Sequence, residues 1–300
     1  MTEAPNFLVV GGSGYLGQAL LRKLGPQGVG TYSRNPIDGG VSFVAGTGDF
    51  DALLDEMGSG INWVVFLHGI SSPDVCAKDP DGTRKINVLA TIDMASKAHR
   101  RGIRSVFLSS DYVFDGKVGQ RTELDVRCPT TEYGRQKAEV EDWFLSELRQ
   151  SLVVRSSKIV SEHSATHSVL GQWIDEFLNG VELHCATDQI FSPMHVDETA
   201  ECIVNLCRGD YEGLFNVCGT EAISRYDLCQ ALAQAVRKRV SLLNIRIEPC
   251  VLADIPFYEP RPLDTSLSNA KLRKALRREF RNIQDMCREV AEKRLSKSPG

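Results

Sequence analysis

The sequence predicts an α/β protein built on a doubly wound parallel sheet, with a smaller α/β substrate lobe in its C-terminal half. Three observations predict it. Continuous apolar runs of strand length alternate with amphipathic helical stretches through the first half, and a glycine-rich loop joins the first run to the first helix. The composition, 42% hydrophobic and 25% charged over 300 residues, is that of a globular chain. Apolar runs without alternation mean strands buried on both faces, which requires a helical layer on each side of the sheet.

Taken in order, residues 7–10 form the first strand, 18–24 a helix and 29–32 the second strand. Residues 63–67 lead to a helix over 85–100, residues 105–109 to a helix over 133–149, and 152–155 close the series. Beyond this point the pattern loosens into helices near 169–179, 198–207 and 226–238, with short strands near 181–185 and 214–217. The expected division is a nucleotide-binding domain over 1–156, to which later segments return, and a substrate lobe over 157–300. A last helix over 271–294 ends in a polar tail, 296–300. Its Lys and Arg alternate with Glu279, Asp285, Glu289 and Glu292, which reads as a solvated face rather than a basic patch.

Thirty-five basic against 39 acidic side chains leave a net charge of −4, so no bulk attraction to nucleic acid or anionic lipid is expected. Any bound anion needs a local site. The longest apolar stretch falls far short of the ~20 residues of a membrane helix, and Glu3 and Pro5 stand where a signal peptide would be basic and then apolar. A cytoplasmic protein is expected, with no membrane partner. Nine cysteines are scattered singly, without CxxC or zinc spacing, and read as buried reduced thiols with no metal.

Gly11-Gly12-Ser13-Gly14-Tyr15-Leu16-Gly17 joins the first strand to the first helix. Glycines at 11, 14 and 17 allow a tight turn, close approach of backbone amides to a pyrophosphate and close helix packing, while the helix N-terminus faces the phosphates. This is the phosphate-binding turn of a Rossmann fold. Its GxxGxxG spacing resembles that of the extended short-chain dehydrogenase/reductase superfamily. The second strand should end with the group that reads the adenosine ribose. Thr31-Tyr32-Ser33-Arg34-Asn35 offers no acid there, whereas Arg34 with Ser33 suits a 2′-phosphate, so NADP(H) is the expected cofactor.

Tyr133 and Lys137 share YxxxK spacing, which places both side chains on one helix face. A lysine ammonium beside a phenol should lower the tyrosine pKa toward the range of a general acid or base. Ser110, 23 residues earlier, ends a strand where open α/β sheets bind ligands, and can hold a carbonyl while Tyr133 gives a proton.

The string Ser109-Ser110-Asp111-Tyr112-Val113-Phe114-Asp115-Gly116 resembles the signature of the dTDP-4-dehydrorhamnose reductase family, and of the related β subunit of methionine adenosyltransferase. Four further segments extend the resemblance over nearly the whole chain. These are Ile86-Asn87-Val88, the 188–193 segment DQIFSP, the strand at 213–217 followed by Gly219, and Arg261-Pro262 followed by Leu267 and Lys271-Leu272. The strand at 213–217 looks like one that returns to the second lobe.

The resemblance implies Ser110, Tyr133 and Lys137 as catalytic residues, with Tyr133 and Lys137 also meeting the cofactor and Lys137 bonding its nicotinamide ribose. It places His68 and Gly69 along the cofactor, and Ser110, Asp111, Tyr112 and Arg261 toward substrate. The sequence departs from the family on the substrate side. Ser156-Ser157-Lys158 replaces a stretch whose tryptophan lines the sugar pocket, and Phe191, Met194, His195, Asp264 and Thr265 replace other usual residues. Lys158 is therefore a substrate-side cation suited to a carboxylate or phosphate, while His68 and His195 read first as satisfied core or rim histidines.

The expected function is NADPH-dependent reduction of a keto group on a sugar nucleotide. Two alternatives stand beside it: reduction of a non-nucleotide ketone, and a cofactor-binding regulatory subunit. The expected partner is a small keto substrate, with a homodimer left open.

Overall fold

Seven strands form one wholly parallel sheet. In chain order the strands of the protein are β1 (Phe7–Val10), β2 (Gly28–Tyr32), β3 (Val41–Ser42), β4 (Trp63–Phe66), β5 (Arg104–Ser110), β6 (Leu152–Ser156), β7 (Ile159–Val160), β8 (Leu183–Ala186), β9 (Ile190–Phe191), β10 (Met194–His195), β11 (Gly213–Val217), β12 (Ile223–Ser224) and β13 (Ile247–Cys250). The central sheet runs β11-β6-β5-β4-β1-β2-β3, and the remaining strands pair two by two. Strand order reverses between β1 and β4, so the crevice at their carboxyl ends is where a doubly wound sheet binds its ligand. The computed structural model describes residues 6–163, 168–240 and 243–296. Glu3, Pro5 and the polar tail beyond Ser296 lie outside them.

The helices are α1 (Tyr15–Leu24), α2 (Phe50–Met57), α3 (Pro73–Lys78), α4 (Pro80–Arg84), α5 (Ala90–Arg100), α6 (Glu132–Glu147), α7 (Val169–Leu178), α8 (Val196–Arg208), α9 (Arg225–Arg237), α10 (Ala270–Leu276) and α11 (Ile283–Ser296). Alternate residues of each central strand feed opposite cores. Phe7 and Val9 join Val65, Val106 and Val154 beneath α1 and α8, whereas Leu8 and Val10 join Val64, Phe107 and Val153 beneath α2, α5 and α6. That two-sided burial is what the unbroken apolar runs required. A separate core in the second half is built by Trp173, Phe177, Leu228, Leu232, Met286 and Val290 of α7, α9 and α11.

Three elements differ from the sequence expectation. The strand expected in the second lobe at 214–217 is β11, which extends the central sheet by pairing with β6 from Gly213↔Leu152 to Val217↔Ser156. Phe215 and Val217 pack into one core while Leu214 meets the other, so this strand too needs both faces covered. The helix expected over 85–100 begins with a wider π-type turn at Lys85–Leu89. The helix expected over 271–294 is broken into α10 and α11. Arg277 takes a left-handed conformation at the end of α10, Phe280 packs toward the core under α8, and Asn282 Oδ1 accepts from Asp285 N at 2.7 Å to start α11. The basic residues there are paired: Arg278 with Glu201 at 2.7 Å, and Arg294 with Asp175 at 2.6 Å. Seven of the nine cysteines are buried, all are free thiols, and Cys128 is exposed.

Candidate active site

The glycine loop lies at the strand-order reversal. Gly17 in the first turn of α1 has no room for a side chain, because an added Cβ would stand 2.4 Å from Gly11 O and 2.6 Å from Gly12 O. This contact seats the helix directly on the loop. Gly11 N donates to Thr31 Oγ1 at 3.1 Å and Ser13 N to Thr31 O at 3.2 Å, so β2 holds the loop in place. No side chain caps the start of α1, and its first turn carries no acid. Gly12, Ser13 and Gly14 are therefore free of competing anions and fit a dinucleotide phosphate.

Tyr15 and Leu16 serve the loop differently from its glycines. Leu16 is core, and the Tyr15 phenol turns down beside Ser161 and Ser168, where burial pushes it up to about 12. Ser33 and Arg34 are exposed just past the carboxyl end of β2, next to the loop, with no acid among residues 31–35.

Across the reversal, β4 delivers Leu67, His68 and Gly69. His68 Nε2 lies 3.1 Å from Thr91 Oγ1, its Nδ1 is buried without a partner, and burial together with the Lys137 charge lowers it to about 4. It is a neutral imidazole at physiological pH. Asn87 clamps the adjoining loop, accepting from Ile70 N at 2.7 Å and donating to Ile70 O at 3.0 Å. Its amide also lies 2.8 Å from Gln136 Oε1 on α6. One side chain thus ties the cofactor-side loop to the helix that carries Tyr133 and Lys137.

Ser110 ends β5. Its hydroxyl donates to Asp111 Oδ1 at 2.9 Å and accepts from Tyr112 N at 3.2 Å, and it lies close enough to Tyr133 to oppose the rise of that phenol. Helix α6 is capped by Thr131, whose Oγ1 accepts from Gly134 N at 3.1 Å, while the Glu259 carboxylate accepts from Glu132 N at 3.0 Å. Gly134 lets this first turn sit on the 111–113 turn. A Cβ there would stand 2.1 Å from Tyr112 O. The Tyr112 and Tyr133 rings meet edge to face with centroids 5.9 Å apart.

Lys137 Nζ donates to Leu108 O at 2.8 Å and stands 5.7 Å from the Tyr133 ring centre. Burial lowers its ammonium to about 8. Lys137 was expected to bring the Tyr133 pKa down toward neutrality, but on balance the phenol is raised. Burial raises the phenol above its usual range, Asp111 and Tyr112 add to the rise, and the opposing hydrogen bond comes from Ser110.

Around this centre the substrate-side residues fall into two groups. Asp111 is buried and its carboxyl is raised by burial, with Oδ2 accepting from Ser157 at 3.0 Å and the Lys158 charge nearby. Tyr112 is pushed up to about 12 by burial.

Arg261 is committed elsewhere: it pairs with Asp74 at 2.7 Å and donates to Glu259 O at 3.1 Å, stapling the 258–261 segment onto α3. His195 is fully buried, accepting from Asp197 N at 3.2 Å and meeting Glu162 at 3.3 Å, a satisfied core histidine as the sequence suggested. Arg225, the first residue of α9, was not singled out from sequence, where nothing but its charge marked it. Its charge is felt by Lys158 and Tyr112.

Comparison with known proteins fits this geometry. The chain is 28% identical to a probable low-salt glycan biosynthesis reductase, Agl14, of Haloferax volcanii, over 88% of this chain and 90% of that protein. It is 29% identical to the methionine adenosyltransferase 2 subunit beta of Rattus norvegicus, over 67% of this chain and 60% of that one. A crystal structure of a dTDP-4-dehydrorhamnose reductase from Bacillus anthracis in complex with NADP superposes with a TM-score of 0.82 at 18% identity, covering 97% of this chain and 99% of that one. At that identity the likeness shows a shared fold alone. The RmlD substrate-binding domain family model matches residues 5–295, and the chain belongs to that family.

Proposed function

We propose that the protein is an NADP(H)-dependent reductase of a keto group on a sugar nucleotide. The observation that carries the reading is the convergence of Ser110, Tyr133 and Lys137 at the carboxyl ends of the strands that also present the glycine loop, with Lys137 Nζ 5.7 Å from the Tyr133 ring centre and Ser110 close enough to act on the phenol. When bound, the cofactor supplies the hydride. Gly11 to Gly17 would hold its pyrophosphate, Arg34 and Ser33 its 2′-phosphate, and the His68–Gly69 backbone with Lys137 its nicotinamide half.

The chain's own residues do the proton chemistry. Ser110 orients the carbonyl oxygen, Tyr133 donates a proton to it, and Lys137 stabilises the phenolate left behind. Raised by burial, Tyr133 is a neutral phenol at neutral pH, the form a reduction needs.

The test is NADPH absorbance loss with a panel of keto-sugar nucleotides. Turnover with at least one member, reduced about 100-fold or more in Tyr133→Phe, is expected from the usual size of acid catalysis. Near-normal turnover in Tyr133→Phe would overturn the assignment. A chain that binds NADPH but consumes it with no keto substrate would favour the regulatory-subunit reading instead.

A further inference from the structure

Gln136 lies within the YxxxK stretch, three residues after Tyr133 and one before Lys137, and is buried to 2% exposure. Its side chain is bonded at both ends of the amide. The nitrogen donates to Thr83 Oγ1 at 2.9 Å, to Glu132 Oε1 at 3.1 Å and to Pro80 O at 3.3 Å, while the oxygen accepts from Asn87 Nδ2 at 2.8 Å.

The surroundings force which way this amide points. Thr83 spends its one hydroxyl proton on a backbone carbonyl, Asp79 O at 2.8 Å or Pro80 O at 3.2 Å, so toward Gln136 it can only accept. The Glu132 carboxylate and the Pro80 carbonyl have no proton to give either. Gln136 must therefore turn its nitrogen to these three groups and its oxygen to Asn87. Asn87 in turn must show Gln136 its nitrogen, which leaves the Asn87 oxygen to accept from Ile70 N at 2.7 Å, while the same nitrogen also reaches Ile70 O at 3.0 Å. A flipped Asn87 amide would set its oxygen against two other acceptors, Gln136 Oε1 and Ile70 O. Such unpaired buried groups are costly.

The loop held in this way passes close to the glycine turn. Gly69 has a φ of +135°, and an added Cβ would stand 2.9 Å from Asn87 Oδ1. One residue earlier, the His68 backbone lies against Gly11, where a Cβ would stand 2.8 Å from His68 N. Asn87 itself sits in the wider turn at Lys85–Leu89, an irregularity of the kind that collects at functional sites. The 2.8 Å bond from Gln136 therefore joins three things: this turn, the 68–70 loop and the helix of Tyr133 and Lys137.

Building on the cofactor placement in the reductase reading, we propose that Gln136 is a positioning residue: acting through Asn87, it sets the Gly69–Ile70 backbone against Tyr133 and Lys137 and so fixes where the nicotinamide end of NADP(H) sits. The adenosine end, assigned to the glycine loop and Arg34, lies outside its reach.

Titration with NADP+ and with 2′,5′-ADP, which carries the adenosine half and its 2′-phosphate without the nicotinamide, separates the two ends. Gln136→Met keeps the length of the side chain and removes its bonds. It should weaken NADP+ by at least about tenfold, the scale of one buried hydrogen bond, and leave 2′,5′-ADP within about twofold of the parent. Thr83→Val, which only frees the Gln136 amide to turn, should show the same selectivity at about threefold. Gln136→Met added to Asn87→Leu should weaken NADP+ no further than Asn87→Leu alone, because the two residues act in series. Equal weakening of NADP+ and 2′,5′-ADP overturns the proposal, because the amide would then serve only the fold. Weakening of neither, or full additivity with Asn87→Leu, overturns it as well. If Gln136→Met does not fold, the Thr83→Val ratio decides. NADPH consumption and its loss in Tyr133→Phe judge the reductase reading independently of these ratios.

Discussion

Gly134→Ala separates two effects of opposite sign. On helix propensity alone, Ala in place of Gly stabilises by about 0.5–1 kcal/mol. The packing says otherwise, because the added methyl would stand 2.1 Å from Tyr112 O and 3.0 Å from Tyr112 C, both backbone atoms that cannot swing aside. Ordinary contact begins at 3.4 Å, so the first turn of α6 must separate from the 111–113 turn by about 1.3 Å. Tyr133 is the preceding residue on that turn and Ser110 precedes the other, so this gap opens between proton donor and carbonyl anchor. A misplacement of about 1 Å costs on the order of 100-fold in rate. Steady-state NADPH oxidation with a keto-sugar nucleotide should show kcat down about 100-fold by that reasoning, and NADPH affinity within about threefold because the glycine loop is not touched. Calorimetry should show a lower melting temperature. A variant with a raised melting temperature and kcat within about threefold of the parent would refute the argument, since propensity would then have won and the close approach would not matter.

Three further outcomes follow from other sites. Arg34→Ala should weaken NADPH binding by about 10- to 100-fold with little change for NADH, measured by fluorescence titration, because only the 2′-phosphate loses its charge-assisted bond; equal effects on both cofactors would contradict this. Glu141 is fully buried against Arg155, with bonds of 3.0 and 2.7 Å, and also receives Ser109 and Arg127. Breaking such a pair from one side costs about 3–5 kcal/mol, so Glu141→Gln should lower the melting temperature by about 6 °C or more, and an unchanged value would count against the network. The hydrogen bond from His195 holds the Glu162 carboxyl at about 2, below the usual 4.5. A depressed carboxyl contributes stability above pH 4.5 that is lost as pH falls toward 2, so urea unfolding across that window should be flatter for Glu162→Gln.

Legibility from sequence followed how local each signal was. Unbroken apolar runs marked the central strands, and the glycine spacing with YxxxK marked the candidate site, because each depends on neighbours within one or two turns of chain. The place of β11 was not legible, since a strand buried on both faces carries no mark of which partner it pairs with, and only register with β6 decides it. Arg225 was hidden for the same reason: 67 residues after Lys158, its nearness to that cation exists only once α9 docks. Arg261 shows the converse, a motif residue visible by its string whose side chain turns out to serve Asp74. The break at 277–282 was lost because Phe280 is apolar at helical spacing, and only the left-handed Arg277 redirects it.

The raised phenol also fixes which direction of the proposed reaction runs readily at neutral pH. Lys137 Nζ stands 5.7 Å from the centre of the ring. Burial has raised Tyr133 above the ordinary phenol range. Tyr133 therefore starts as a proton donor, suited to reduction, whereas alcohol oxidation must first ionise it. Lys137, lowered to about 8, loses its charge as pH rises through that value, and with it the stabilisation of the phenolate. Reduction should be level up to about pH 8 and then fall, and Lys137→Arg should carry the fall well upward because a guanidinium stays charged. Oxidation of the product alcohol should be slow at pH 7 and climb toward alkaline pH. A forward profile that ignores pH 8 in the parent, or an oxidation optimum at neutral pH, would mean that the proton comes from a group other than Tyr133.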